Sequence, residues 1–449
     1  MSRAGRPGGG PAVHADGASA AGGAAAEGEG AGAPCAAPGS FAAFLKLARV
    51  KFLFQSMMVT GFGVALAVHA TGTFSPGRYL VTLAFAWSTH LMTHFCNEYF
   101  DLEADRANPR PTAWTGGSRV LVEGLLAPAT SIGAAFVLLF TSLVLIATMP
   151  TLPARLLACA LTALAWFYTA PPFRLNYRAL GELTCAAVLY AMGPLLAAVL
   201  QAGHLTPLLL WCTGFVAALQ VLRCLIMNLA DIEGDALVGK ATLAGVLGPR
   251  RLTQVYAAGQ TVLYAGVVTL AAVHVLPWVV ALAQLLVAPV ACLVVRGLLT
   301  GAMGEQGRAG GVTFLASVHL PLTTCATILG LLADGALNGR TAPPLWSALA
   351  GGTALLFAVW LYRAVRSARR PAAPDGTAAP GHAAAPGRAV PQLGSGAPER
   401  PAQEASARAP QEAPGAGRRT VGRRAPLRSH ETEEAVMSGD PLPEEHEAR

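Results

Sequence analysis

Residues 206–237 read TPLLLWCTGFVAALQVLRCLIMNLADIEGDAL. The stretch from Thr206 to Asn228 is overwhelmingly apolar and long enough, as a helix, to cross a bilayer core, which takes about 20 residues. It gives way almost at once to Asp231, Glu233 and Asp235. The same construction appears earlier. The apolar stretch 79–100 runs straight into DLEADRANPRPTAWTGGSR, which starts at Asp101. A membrane-spanning helix that ends in carboxylates is the unit from which the rest of the chain is read.

Working outward, ten apolar stretches of spanning length lie at 50–71, 79–100, 129–149, 152–170, 180–201, 206–228, 252–274, 276–298, 312–334 and 344–364. Composition agrees. Of 449 residues, 53% are hydrophobic and 13% charged, against about a quarter charged in soluble domains. The expected fold is all-α, a polytopic helical bundle within the lipid bilayer. Lys and Arg number ten in the loops after even-numbered helices and three (Arg78, Arg155 and Arg340) in the loops after odd-numbered ones. Further basic residues flank the first and tenth helices. This bias predicts that both termini and all even loops are cytoplasmic, in a multi-pass protein of the cell membrane. The formal net charge of +7 thus reports topology and anionic lipid. No aromatic-interleaved basic patch points to nucleic acid.

Residues 1–40 and 371–449 carry few large apolar side chains and are expected to be disordered. Between them stand a membrane domain at 41–335 and an additional helix within 336–370. The eight cysteines form no CxxC pair, and seven fall in or beside apolar stretches, so they read as small buried hydrophobes. Arg3 and Arg6 are followed by no apolar core, so no secretory signal peptide is expected.

The chemistry gathers at the two acidic helix ends. Asn97, Asp101 and Asp105 repeat every four residues and share one helical face. Asn228, Asp231 and Asp235, spaced three and four apart, do the same. Both clusters close an even-numbered helix and so fall on one side of the membrane. Clustered carboxylates at membrane depth are costly and usually functional. Magnesium takes one or two carboxylates together with phosphate oxygens. Two such clusters facing each other are suited to clamping a diphosphate.

These motifs, N97-xxx-D101-xxx-D105 and N228-xx-D231-xxx-D235 followed by GKATLAGVLG (Gly239 to Gly248), resemble the UbiA superfamily of intramembrane prenyltransferases. The second motif, together with YTAPPFRLNYRALGEL (Tyr168 to Leu183), resembles the 1,4-dihydroxy-2-naphthoate polyprenyltransferase, or menaquinone, branch. The resemblance covers roughly residues 45–335. It implies a nine-helix core around a central cavity, with the tenth helix extra. It implies magnesium on Asp101, Asp105, Asp231 and Asp235, with Asn97 and Asn228 beside them. Arg119, Arg174, Arg178, Arg223 and Lys240 are the candidates for holding the diphosphate. Many members carry a Tyr-xxx-Lys pattern after the fourth helix; here Pro172 stands where that Lys would be, and the nearest base is Arg174.

The implied reaction transfers a polyprenyl group from its diphosphate to an aromatic acceptor. His94, with His90 a turn before it, Tyr168 and Glu182 are candidates for meeting the acceptor or shielding a cation. Phe95, Phe100, Trp114, Trp166 and Phe167 are further ring candidates. The loop from Arg106 to Gly117 is a candidate lid. Two rivals remain at this point: a membrane terpene cyclase using the same site, and a secondary transporter.

Overall fold

Helix starts are written into the sequence. Ser40, Ser75, Thr151 and Thr242 each precede a helix and accept a hydrogen bond from the backbone N–H three residues on. Proline occupies the first turn of the helices that begin at 76, 128 and 152, where its missing donor costs nothing. A computed structural model describes residues 36–108, 117–229 and 231–368. Most of both ends expected to be disordered lie outside these residues, as does 109–116 of the candidate lid, with Trp114.

The elements are α1 (Phe41–Ala48), α2 (Leu53–Thr71), α3 (Pro76–Phe100), α4 (Leu102–Ala107), α5 (Pro128–Thr148), α6 (Leu152–Phe167), α7 (Gly181–Ala186), α8 (Gly193–Ala202) and α9 (Pro207–Leu229). They continue with α10 (Ile232–Leu237), α11 (Leu243–Ala272), α12 (Trp278–Leu285), α13 (Ala288–Leu299), α14 (Gln306–Leu337) and α15 (Pro344–Ala368). Each of the ten predicted stretches is helical. Among the described residues, eight spans are long and apolar enough to cross a membrane, with α7–α8 and α12–α13 each counting as one. The other two stretches are α6, of 16 residues, and α3, whose 25 residues include several polar side chains. No strand forms among the described residues; Arg178 and Ala241 make an isolated backbone bridge.

Helix α2 is the hub, buried along most of its length and packed against α3, α8 and α14. Helix α9 packs against α7, α11 and α14, and α3 packs against α5. The outer helices turn apolar side chains outward: Phe136, Val137 and Phe140 on α5, Val262 and Val268 on α11, Leu355 and Leu356 on α15. An exposed apolar surface of this extent is what lipid requires.

Two breaks shape the interior. Pro194 has no N–H to donate to Tyr190, and the span 181–202 widens into a π-helical turn at Ala187–Met192, where the Gly193 N–H reaches the Val188 carbonyl. Gly248 (φ 68°) and Pro249 kink α11 near its start. Polar clusters occupy opposite ends of the bundle. His69 and Arg340 meet the buried Asp334 at 2.8 and 3.3 Å where α2 and α14 end. The acidic motifs stand at the other end, where α3 and α9 finish.

Candidate active site

Asp101 terminates α3 and is almost fully buried. Its carboxylate accepts from Asn97 Nδ2 at 2.6 Å and from Asn176 Nδ2 at 3.1 Å. Asp105 follows one turn later in α4, its main-chain carbonyl held by the Arg119 guanidinium. Gly117 (φ +71°) lies so close to the Asp105 carboxylate that a Cβ would collide with it. Beside this cluster, the buried Glu98 accepts from Ser118 N and Oγ at 2.7 and 2.6 Å and pairs with Arg49 at 3.7 Å.

The second cluster faces the first. Helix α10 packs against α4, and a Cβ on Gly234 would sit 3.5 Å from the Asn108 Cα. Asn108 Nδ2 donates to Asp231 Oδ1 at 3.2 Å. Lys240 spans the gap, with its Nζ 3.2 Å from Asp235 and 3.8 Å from Asp101. The sequence explains its position. Gly239 takes the left-handed φ of 69°, and the Lys240 N–H donates to the Asp235 carbonyl. Thr242 then caps α11. The Ala179 N–H donates to the Ala241 carbonyl at 2.7 Å, tying this segment to the loop after α6. That loop carries Asn176, Tyr177 and Arg174. The Arg174 guanidinium stacks on the Tyr177 ring at 3.8 Å, with Lys240 Nζ 5.9 Å from the same ring.

Electrostatics follow from crowding. Burial, then Glu98 and Asp101, push the Asp105 carboxyl up to about 7, against the pull of Lys240 and Arg49. Burial raises Asp235, with Lys240 opposing the shift. Burial works against the Lys240 charge, but Asp101 and Asp235 outweigh it and hold the ammonium protonated well above its usual range. Among the described residues the mouth thus crowds buried carboxylates around Lys240, which pairs with both Asp101 and Asp235.

A cavity of about 270 Å³ opens beside this mouth, between α2, α3, α6, α7–α8 and α9. Asn97 belongs to both, bonding Asp101 and lining the cavity. Tyr168, His90 and His94 are on its walls. His90 Nδ1 is 2.5 Å from Ser56 Oγ, and His94 Nδ1 is 3.1 Å from the Ala48 carbonyl.

The profile of the UbiA prenyltransferase family matches residues 56–309, more than half of the chain. The chain belongs to the UbiA prenyltransferase family. It is accordingly an intramembrane prenyltransferase that crosses the membrane several times. Solved structures similar to this UbiA chain include the apo form of a UbiA homolog from Aeropyrum pernix K1, with 20% identity and TM-score 0.49, covering 65% of this chain and 99% of that one. A digeranylgeranylglyceryl phosphate synthase matches with 17% identity, TM-score 0.46, and coverage of 65% and 98%. A UbiA homolog from Archaeoglobus fulgidus bound to GPP and Mg2+ matches with 14% identity, TM-score 0.44, and coverage of 64% and 99%. No curated protein matches the chain.

Against the expectations for this UbiA member, the fold brings Asn97, Asp101, Asp105, Asp231, Asp235, Lys240, Arg119 and Arg174 to one mouth. Arg178 is exposed on the outer side of its loop, donating to the Pro172 carbonyl. Asn228 turns to Glu182, donating to its Oε1 at 2.9 Å; the same oxygen accepts from the Ala244 N–H. Glu182 is thus a buried brace between α7, α9 and α11. Arg223 meets Gln220 on the cavity wall. Of the ring candidates described, Phe95 packs on Phe44, Phe100 on Tyr99, Trp166 on Phe136 and Phe167 on Phe173; Tyr168 alone among them lines the cavity. Sequence reasoning missed Asn176, Asn108, Tyr177 and the Glu98–Ser118 pair. Asn176 lies inside the very segment that carries the family resemblance, and that is the signal that would have flagged it.

Proposed function

We propose that the protein transfers a polyprenyl group from its diphosphate to an aromatic acceptor, with magnesium held between the two acidic motifs. The observation that carries this reading is Lys240 bridging Asp101 and Asp235 while Asn108 reaches Asp231, so that carboxylates from α3–α4 and α9–α10 share one mouth. Among the described residues, no three His, Cys, Asp or Glu side chains form a protein-only metal cage. Magnesium keeps waters and takes phosphate oxygens alongside one or two carboxylates. The donor set fits: oxygen ligands only, in a site where burial, and after it Glu98 and Asp101, raise the Asp105 carboxyl. Asp101, Asp105, Asp231 and Asp235 would hold the metal, which when bound supplies charge neutralisation for the departing pyrophosphate.

The chain's own groups do the rest. Lys240 and Arg174 hold the diphosphate, and Arg119 fixes the α4 backbone beneath it. The C1–O bond of the prenyl diphosphate breaks, and pyrophosphate leaves with the electron pair. The apolar cavity excludes water from the allylic cation, and Tyr168 offers it a ring face. An acceptor ring carbon supplies the electrons of the new C–C bond and then loses its proton. A menaquinone-type acceptor is the favoured substrate, on the strength of the GKATLAGVLG and YTAPPFRLNYRALGEL stretches.

The test incubates membranes holding the protein with geranylgeranyl diphosphate and a panel of aromatic acids, with and without magnesium. Prenylated product and pyrophosphate appear only with magnesium and acceptor together. Asp101→Ala and Asp231→Ala each abolish turnover while the protein still inserts. Near-normal activity in both variants refutes the reading, and a cyclised hydrocarbon formed without acceptor assigns the site to a cyclase instead.

A further inference from the structure

The cysteines divide by their surroundings. Among the described residues, Cys96, Cys212 and Cys325 are buried, and Cys159 and Cys292 are exposed. Cys185 and Cys224 differ from both groups: of the described cysteines, they alone line the cavity beside the mouth. They come from different elements, Cys185 from α7 and Cys224 from α9, and their thiols hydrogen-bond to each other. A single amide nitrogen, Gln220 Nε2, donates to Cys185 Sγ at 3.2 Å and to Cys224 Sγ at 3.4 Å. Gln220 is fully buried and stands one turn before Cys224 on the same face of α9. Its oxygen accepts from Arg223 Nη1 at 3.3 Å, which sets a guanidinium at the other end of the same amide.

A thiol packed for its volume alone is surrounded by apolar neighbours. This pair is instead held sulfur to sulfur by a polar group and borders open space. Disulfide formation needs two sulfurs within reach, access for an oxidant, and a neighbouring charge that steadies the reacting thiolate. The contact of α7 with α9 supplies the first, the cavity the second and Arg223 the third. We propose that Cys185 and Cys224 are a redox site that a lipid-soluble quinone oxidises to a disulfide, closing the cavity. The location selects the oxidant class. The pair stands between membrane-spanning helices, on a wall that includes Val188, Leu189 and Leu196, where a charged oxidant such as glutathione disulfide does not partition. A quinone dissolves in lipid and accepts two electrons and two protons. Each thiol gives up its hydrogen, one S–S bond forms, and the quinone leaves as its hydroquinone.

The bond is placed to matter. Cys185 lies one turn after Glu182, the brace that holds Asn228 and the Ala244 N–H. Cys224 lies one turn before Asn228. The π-helical turn starts at Ala187, just beyond Cys185, so the hydrogen-bond ladder between α7 and α8 is already broken there. A disulfide draws α7 onto α9 where Thr184, Val188 and Met227 line the cavity, and removes room for isoprenoid. That last step rests on the prenyl-transfer reading; the disulfide itself does not.

The test uses the full chain in lipid nanodiscs with duroquinone, whose fully substituted ring takes electrons without alkylating a thiol. Treated wild type loses two free thiols, releases one equivalent of duroquinol, and yields a peptide in which Cys185 is joined to Cys224 by mass spectrometry. Cys185→Ser and Cys224→Ser each keep their thiol count. With magnesium, geranylgeranyl diphosphate and a hydroxynaphthoate, treatment lowers wild-type turnover about tenfold or more, and a phosphine reductant restores it. Each serine variant turns over at the same rate before and after treatment. One arm needs no turnover: geranylgeranyl diphosphate binds the linked wild type about tenfold more weakly than the reduced. The inference is overturned if both thiols stay free, if other cysteines are consumed equally, or if the linked protein binds the diphosphate and turns over as the reduced protein does. If the disulfide forms and weakens diphosphate binding in protein that prenylates no acceptor before treatment, the transfer reading fails and the redox site stands.

Discussion

Asn176 reaches Asp101 from 75 residues away in sequence, at 3.1 Å, and no helical periodicity announces it. Asn97, Asp101 and Asp105 were legible because a four-residue spacing on one helix face is a local property. Asn176 was not, because its loop finds Asp101 only after α3 and α6 have packed. If Asp101 holds magnesium as proposed, Asn176 acts through it, fixing the carboxylate's orientation as groups that hydrogen-bond to metal ligands do. Asn176→Ala should lower kcat/KM about 10- to 100-fold and weaken magnesium activation by a similar factor. Unchanged magnesium dependence in a titration of the variant would contradict that role. Arg223 and Glu182 carry the same lesson. The sequence flagged both as charges near the site, but which groups would meet them depended on the approach of α7, α9 and α11.

At the scale of the element, close approach of α2 and α8 decides how the bundle closes. A Cβ on Gly63 would collide with the Pro194 carbonyl, which is backbone and cannot rotate away. Pro194 also ends the π-helical turn whose residues Val188 and Leu189 line the cavity. Small residues that let helices touch are the general device for packing in membranes, where apolar burial between helices gains little over lipid. Gly63→Ala should therefore destabilise the protein by about 1–3 kcal/mol, seen as a lowered midpoint of unfolding in detergent. Gly266→Ala, at a position with nothing within 4 Å of the added carbon, should leave that midpoint unchanged. Helix positions were readable from apolar length. The widened turn was not, because an apolar run containing Gly193-Pro194 has the same length whether or not its hydrogen-bond ladder breaks.

At the scale of the whole molecule, the two polar clusters take opposite ends of the bundle, Asp334 at one and the aspartate motifs at the other. The bias of basic loops predicts that the aspartate end faces the cytoplasm. Protease protection of tags on the two termini in sealed vesicles checks this: both tags should be cleaved in inverted vesicles and protected in right-side-out ones. By itself the sequence determined a helical membrane protein and two acidic helix ends on one side of the bilayer, since apolar length, charge bias and helical repeat are properties of neighbouring residues. The tertiary structure decided that Lys240 bridges the two clusters, that Glu182 braces Asn228, and that Arg223 meets Gln220 on the cavity wall. Those outcomes depend on which helices pack together, and between greasy helices that choice is made by shape and a few buried polar contacts, which no local pattern records.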